Sequence, residues 1–131
     1  VNESQNIIVN DATIMITGLP DRSGGHFSSF HKTDMEKAVG GMNSSDLKIL
    51  LAHQPGDVEH ATKYGFDLQL SGHTHGGQYF PFSLLVQMAH PFLKGLHKRE
   101  NTWIYINQGT GYWGPPLRIG TEPEITEIVL V

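Results

Sequence analysis

Two histidines separated by one residue, His73 and His75, lie in the segment Gly72-His73-Thr74-His75-Gly76-Gly77-Gln78. The preceding residues, 66–71, alternate in a way that predicts a β-strand. In an extended backbone, side chains two residues apart point the same way, so we expect both imidazoles to face one ligand. The glycines permit sharp turns and a close approach of the backbone. The segment therefore predicts a metal or phosphate site at a strand end, and Thr74, which points the opposite way, has a structural role.

A third histidine, His53, follows another predicted strand at residues 47–52. This strand is nearly continuously apolar, which is typical of a strand buried on both faces of a parallel sheet. A helix predicted over residues 58–64 connects the two strands. Parallel strands joined by a helix end at the same edge of the sheet, where open α/β sheets bind ligands. We therefore expect His53, His73 and His75 to converge on a metal ion, for which neutral imidazole is a common ligand.

The elements around these histidines predict an α/β fold with about six strands and two or three helices. Asn10-Asp11 separates two apolar segments and predicts a hairpin. Asp34 or Thr33 is the expected N-cap of the helix at 34–40, and Asp57 is that of the helix at 58–64. Residues 96–101 are predicted to form a polar turn. The predicted strands are 5–10, 12–18, 47–52, 66–71, 102–107 and 124–131, and the predicted helices are 34–40 and 58–64.

The composition excludes several classes of protein. The chain has 131 residues, which we interpret as a single unit over 1–131, and a net charge of −4 without a basic cluster, so we expect no nucleic-acid-binding surface. It has no cysteine, which excludes disulfides and thiolate metal sites. No apolar run reaches the length of a membrane span, and the first residues lack the features of a signal peptide.

Two further regions are candidates for substrate contact. Asn107 and Gly109, in a glycine loop after a predicted strand, offer amide donors to a phosphate, and Arg118 offers a bidentate clamp. A plain turn and a solvated arginine are the alternatives. Residues 79–93 are strongly apolar and predict a loop and short helix packed on the sheet, or an apolar lid that contacts a substrate tail or a membrane surface. The remaining histidines are interpreted as surface or packing residues: His26, His31, His60, His90 and His97.

Three segments resemble the C-terminal half of the calcineurin-like metallophosphoesterases, with the closest similarity to a bacterial branch of membrane-anchored or exported members. These segments are Leu50-Leu51-Ala52-His53-Gln54-Pro55, the run from Gly65 to Gln78 that contains Gly-His-Thr-His, and Gly114-Pro115-Pro116-Leu117-Arg118. The resemblance implies a β-sandwich flanked by helices and a phosphoester hydrolase with two divalent ions, Mn, Fe or Zn. It also implies that His53 and His73 share one ion and that His75 binds its neighbour.

The chain departs from this family because it lacks the upstream motifs Asp-x-His and Gly-Asn-His-Asp/Glu. A third motif, Gly-Asp-x-x-Asp, is matched only poorly by Gly56-Asp57-Val58-Glu59-His60. We therefore expect the C-terminal portion of a longer enzyme, with at most one weakly bound ion and little or no activity alone. Such a portion would expose a sheet face and self-associate. The resemblance further suggests a phosphoester substrate, possibly lipid-linked, a location in the cell envelope or at a membrane, and membrane contact through residues 79–93 or a missing N-terminal region.

Two other functions remain open at the level of sequence. One is a non-catalytic metal-binding or interaction module that uses the three histidines. The other is a metal-free phosphodiesterase, which needs two His-x-Ser/Thr motifs facing each other across a groove. The chain contains three such motifs, which begin at His26, His31 and His60.

Overall fold

A computed structural model describes residues 1–41 and 44–130. Within them, six strands form one mixed sheet, and three α-helices accompany it. The predicted α/β class, with about six strands and two or three helices, is confirmed. In chain order the elements are β1 (Glu3–Val9), β2 (Ala12–Gly18), α1 (Met35–Val39), β3 (Leu47–Leu51), α2 (Val58–Lys63), β4 (Leu68–Ser71), α3 (Phe82–Ala89), β5 (Gly95–Arg99) and β6 (Thr102–Ile106).

The strand order is β1-β2-β3-β4-β6-β5, with a parallel centre and antiparallel edges. β2, β3, β4 and β6 pair in parallel, whereas β1 and β5 each form a hairpin with the neighbouring strand. The β1–β2 hairpin turns at Asn10 and Asp11, whose φ angles are 46° and 69°. Two successive positive φ angles are what a tight two-residue hairpin requires, and Asn and Asp adopt them readily. The predicted hairpin is therefore confirmed.

Helices α1 and α2 cover one face of the sheet. α1 packs on β1 and β2, and α2 packs on β4 and β6. The side chains beneath them, such as Leu50 and Phe66, are almost completely buried. The opposite face is partly open among the described residues: Ile7, Leu51 and Trp103 are 46%, 42% and 44% exposed, whereas Ile49 is 7% exposed. The centre of β3 is therefore buried on both faces, as expected, because Ile49 and Leu50 point to opposite faces, but its last residue, Leu51, is not.

Three expectations for the second half of the chain are wrong. The polar turn expected at residues 96–101 is mostly strand β5, whose polar side chains suit an edge position beside β6. Residues 124–130 form no regular element where a strand was expected, and residue 131 lies outside the described residues. α3 does form within residues 79–93, but its main contact is the turn His75–Gly77 rather than the sheet.

Asp57 precedes α2 as expected, but its side chain makes no capping bond. It is 1% exposed and accepts hydrogen bonds from Nε and Nη2 of Arg22, so the expected capping role is wrong. Among the described residues, no helix has the length and apolarity that a membrane crossing requires.

Candidate functional site

The carboxyl ends of β3 and β4 bring two of the three predicted ligands together. The backbone pairing continues past the strands, because Ala52 donates to the Leu70 carbonyl at 3.1 Å and Gly72 donates to the His53 carbonyl at 3.1 Å. This register leaves Nε2 of His53 only 3.2 Å from Nδ1 of His73. The parallel pairing predicted from the sequence therefore places these two imidazoles side by side.

The histidine segment itself is not extended. His73 and His75 have φ angles of 71° and 50°, and Thr74 between them is helical. The extended backbone expected here is therefore wrong, and Nδ1 of His75 instead lies 3.5 Å from Nη2 of Arg118. Thr74 has the structural role we expected, since its hydroxyl donates to the Leu93 carbonyl at 2.6 Å. Left-handed backbone costs a non-glycine residue about 1–3 kcal/mol, and such residues concentrate at functional sites.

One cavity of about 310 Å³ contains all three predicted ligands. It also contains His90, which the sequence analysis assigned to the surface or to packing. The His90 ring centroid lies 4.8 Å from that of His73, because His90 directly follows α3. No sequence signal relates a residue at the end of α3 to the strand ends. The cavity is lined by His53, His73, Thr74, His75, Gln78, Phe82, Val86, His90 and Trp113.

Asp21 is a further polar group near the site that the sequence analysis missed. Its Oδ2 lies 3.7 Å from Nε2 of His53, and its Oδ1 accepts hydrogen bonds from the Ser23 amide at 2.9 Å and from Gln54 at 2.7 Å. Burial raises the pKa of Asp21, but the hydrogen bonds from Ser23 and Gln54 outweigh it and the pKa is lowered. The sequence could have indicated Asp21, because β2 is parallel to β3 and Asp21 follows β2 at the same edge of the sheet.

Three histidines of the cavity, His73, His75 and His90, have pKa values below the usual range, which favours their neutral form. Burial lowers the pKa of His73, and the neighbouring His53 and His90 lower it further. Burial and then the guanidinium of Arg118 lower the pKa of His75. Burial and then Arg22 do the same for His90. Neutral imidazole is the form that binds metal ions.

The geometry of His53 and His73 fits a shared divalent ion. A tetrahedral ion at 2.0–2.1 Å from two nitrogens holds them roughly 3.3 Å apart, close to the 3.2 Å between Nε2 and Nδ1. In the part of the chain that the structure describes, however, no group of three or more His, Asp or Glu side chains is arranged to hold an ion. The two imidazoles thus have the spacing that one shared ion would require, without a third partner among the described residues.

The three expected phosphate donors, Asn107, Gly109 and Arg118, are not among the described residues that line the cavity, and their polar groups are used within the chain. Asn107 Nδ2 donates to Glu124 and Thr126, and Asn107 Oδ1 accepts from the Gly109 amide at 2.6 Å. Arg118 donates to backbone carbonyls, which tie the histidine turn to the last segment of the chain. These carbonyls belong to His75, Gln108, Gly109, Gly111 and Glu122.

Gln78 connects the histidine segment to the opposite wall of the cavity. It is 2% exposed, and its Nε2 donates to the carbonyls of Trp113 at 2.7 Å and Pro115 at 3.1 Å. Its Oε1 accepts from the Trp113 amide. Trp113 in turn stacks on Phe82 of α3, with ring centroids 5.7 Å apart.

The hydroxyls of the His-x-Ser/Thr motifs are engaged locally. Ser28 accepts from the Phe30 amide, Thr33 donates to the Pro20 carbonyl at 3.5 Å, and Thr62 donates to the Val58 carbonyl at 2.9 Å. This arrangement does not favour a metal-free phosphodiesterase.

Comparison with known proteins gives several close matches. A transmembrane protein with metallophosphoesterase domain from Danio rerio is 46% identical over 103 residues, which cover 76% of this chain and 24% of that protein. An uncharacterized metallophosphoesterase from Helicobacter pylori is 48% identical over 100 residues, covering 75% of this chain and 27% of that protein. The chain belongs to the calcineurin-like metallophosphoesterase superfamily. A transmembrane protein with metallophosphoesterase domain from Bos taurus is 38% identical over 126 residues, which cover 92% of this chain and 28% of that protein.

The chain therefore spans about a quarter of the length of these three relatives. No family model and no solved structure matches it. The relatives support a phosphoesterase function in general, and membership of this metallophosphoesterase superfamily implies dependence on divalent metal. The similarity to a specifically bacterial branch is not confirmed, since the relatives include fish and cattle proteins.

Proposed function

We propose that this chain supplies metal ligands to the active site of a phosphoesterase that hydrolyses phosphate mono- or diesters. The observation that supports the proposal most strongly is the 3.2 Å separation of His53 Nε2 and His73 Nδ1 at the ends of two parallel strands. These nitrogens would hold one divalent ion. His75, in the same cavity, is the candidate ligand of a second ion, with Mn, Fe or Zn as the candidate metals.

A bound divalent ion would supply Lewis acidity and lower the pKa of a water that attacks phosphorus. The chain's own contribution is positioning. The bond from Gly72 to the His53 carbonyl joins the segments that carry His53 and His73, and Thr74 fixes the turn between His73 and His75. His90 faces the same cavity and offers a ring nitrogen to a phosphoryl oxygen. Groups held in place before substrate binds lose little entropy in the reaction.

The chain carries an incomplete set of ligands among its described residues, so the activity belongs to the whole protein. Since the matched region covers only about a quarter of each of these relatives, further ligands would come from outside that region. Two of these relatives are named transmembrane proteins, which makes a membrane location and a lipid-linked substrate worth testing in the whole protein. For the chain alone we expect little or no turnover.

The test is hydrolysis of bis(p-nitrophenyl) phosphate by the full-length protein with Mn²⁺, with Zn²⁺ or with a chelator. We expect metal-dependent turnover that falls at least about 100-fold in His73→Ala, since the ion loses one of its ligands. His60→Ala is the matched control, because His60 is exposed on α2 outside the cavity and should leave turnover unchanged. Turnover that survives the chelator and requires His60 would instead support the metal-free phosphodiesterase. Tight metal binding without turnover would support the non-catalytic module.

A further inference from the structure

The cavity is lined by two chemically different groups of side chains. We call its four histidines the histidine wall, and Phe82, Val86 and Trp113 the apolar wall. None of the described residues that line it is Asp, Glu, Lys or Arg. At about 310 Å³ the cavity lies at the lower end of the range for small-molecule sites. It has room for a phosphoryl group at the histidines and for an adjoining organic group.

The apolar wall is built before any ligand binds. Tyr79, Phe82 and Trp113 form a continuous stack, with centroid separations of 5.3 and 5.7 Å and interplanar angles of 21° and 13°. Gln78 holds the backbone of Trp113 through both its amide and its carbonyl. The wall is therefore attached to the segment that carries His73 and His75. A preformed wall binds an apolar group without the entropy cost of ordering side chains.

The wall also has apolar surface left to bury. Trp113 is 60% exposed although its backbone is fixed on both sides. A large aromatic side chain held in place but left exposed beside a polar site is a common form of recognition surface. Burial of an organic group against it would remove apolar area from water on both partners.

We propose that Phe82, Val86 and Trp113 form a subsite for the organic group of the substrate, and that the substrates are phosphoesters carrying an apolar aryl or alkyl group. Gln78 is a positioning residue, since it acts through Trp113. The proposal rests on the proposed function, because the phosphoryl group must occupy the histidine wall for the organic group to reach this one. Highly polar organic groups, such as unmodified sugars, would bind more weakly.

The test compares two ligands that differ only in the organic group and resist hydrolysis, methylphosphonate and phenylphosphonate. Their dissociation constants are measured by titration calorimetry on the full-length protein in saturating Mn²⁺. We expect phenylphosphonate to bind about 10- to 100-fold more tightly than methylphosphonate. In Trp113→Ala the ratio should fall to about threefold or less. Octylphosphonate tests whether the subsite accepts alkyl as well as aryl groups. It should bind as tightly as phenylphosphonate only if alkyl groups are accepted.

Tyr112→Ala is the matched control, because Tyr112 is the adjacent residue, is 59% exposed and is not among the described residues that line the cavity. It should keep the full ratio. Phe82→Ala is the second variant if Trp113→Ala does not fold, as checked by circular dichroism. A ratio that stays above about tenfold in a folded variant of either residue would overturn the subsite.

His73→Ala separates this proposal from the proposed function. Loss of methylphosphonate binding in that variant supports the histidine wall as the phosphoryl site. If methylphosphonate binds with the same dissociation constant in His73→Ala as in the unmodified protein, the proposed function is overturned. The effect of Trp113→Ala on the ratio of the two dissociation constants would still decide the apolar subsite. Failure of both phosphonates to bind would overturn both.

Discussion

Gln78→Glu should loosen the segment at residues 111–121, which carries Trp113 of the apolar wall. The substitution keeps the size of the side chain but replaces the Nε2 amide with an ionised oxygen. Two hydrogen bonds, to the carbonyls of Trp113 at 2.7 Å and Pro115 at 3.1 Å, are lost, and a negative charge faces both oxygens. Each polar group left without its partner costs about 1–3 kcal/mol. Because both carbonyls belong to exposed residues, water can replace part of what is lost. We therefore expect local opening to become easier by about 2–4 kcal/mol.

Hydrogen–deuterium exchange on peptides covering residues 111–121 measures this local opening directly. A change of about 2–4 kcal/mol corresponds to exchange that is roughly 30- to 1,000-fold faster. Gln87→Glu on α3 is the matched control, since Gln87 is exposed and a charge there should leave the segment unaffected. Exchange within about threefold of the unmodified protein in Gln78→Glu would refute the interpretation of Gln78 as the anchor of the wall.

Two further predictions concern stability. Arg22→Met should destabilise the protein by about 2–3 kcal/mol in chemical denaturation, because it leaves the buried Asp57 carboxylate without its partner. Arg22 itself is half-exposed, which limits the loss. A second change, Asp57→Asn, should restore part of the stability. Burial raises the pKa of Glu124, but hydrogen bonds from Thr126 and Tyr105 outweigh it and lower that pKa from 4.5 to about 2. The stabilisation that ionised Glu124 contributes is therefore complete above pH 4.5 and is lost as pH falls to about 2. Glu124→Gln should make the denaturation midpoint less dependent on pH over that range. The same pH dependence in the variant as in the unmodified protein would contradict this.

Local patterns predicted the elements that align the histidines. The Asn10-Asp11 turn, the apolar β3 and the helix α2 have signals that lie within a few residues of each other in sequence. Parallel pairing then placed His53 and His73 at one edge by a rule of topology rather than by side-chain detail. The same rule extended to β2 would have identified Asp21.

The remaining features depend on contacts between distant parts of the chain. Strand β5 is polar and becomes a strand because it pairs with β6 at the sheet edge, so composition alone predicted a turn. The left-handed backbone at His73 and His75 is imposed by the surrounding hydrogen bonds and has no local signature in non-glycine residues. His90 reaches the cavity only because α3 packs on the turn His75–Gly77.

We propose above that His53 and His73 hold one divalent ion between them. Anomalous diffraction from crystals of the full-length protein grown with Mn²⁺ or Zn²⁺ tests it most directly. We predict a metal peak about 2.0–2.3 Å from both His53 Nε2 and His73 Nδ1. A fully occupied metal peak elsewhere, with these two nitrogens free of it, would contradict the account.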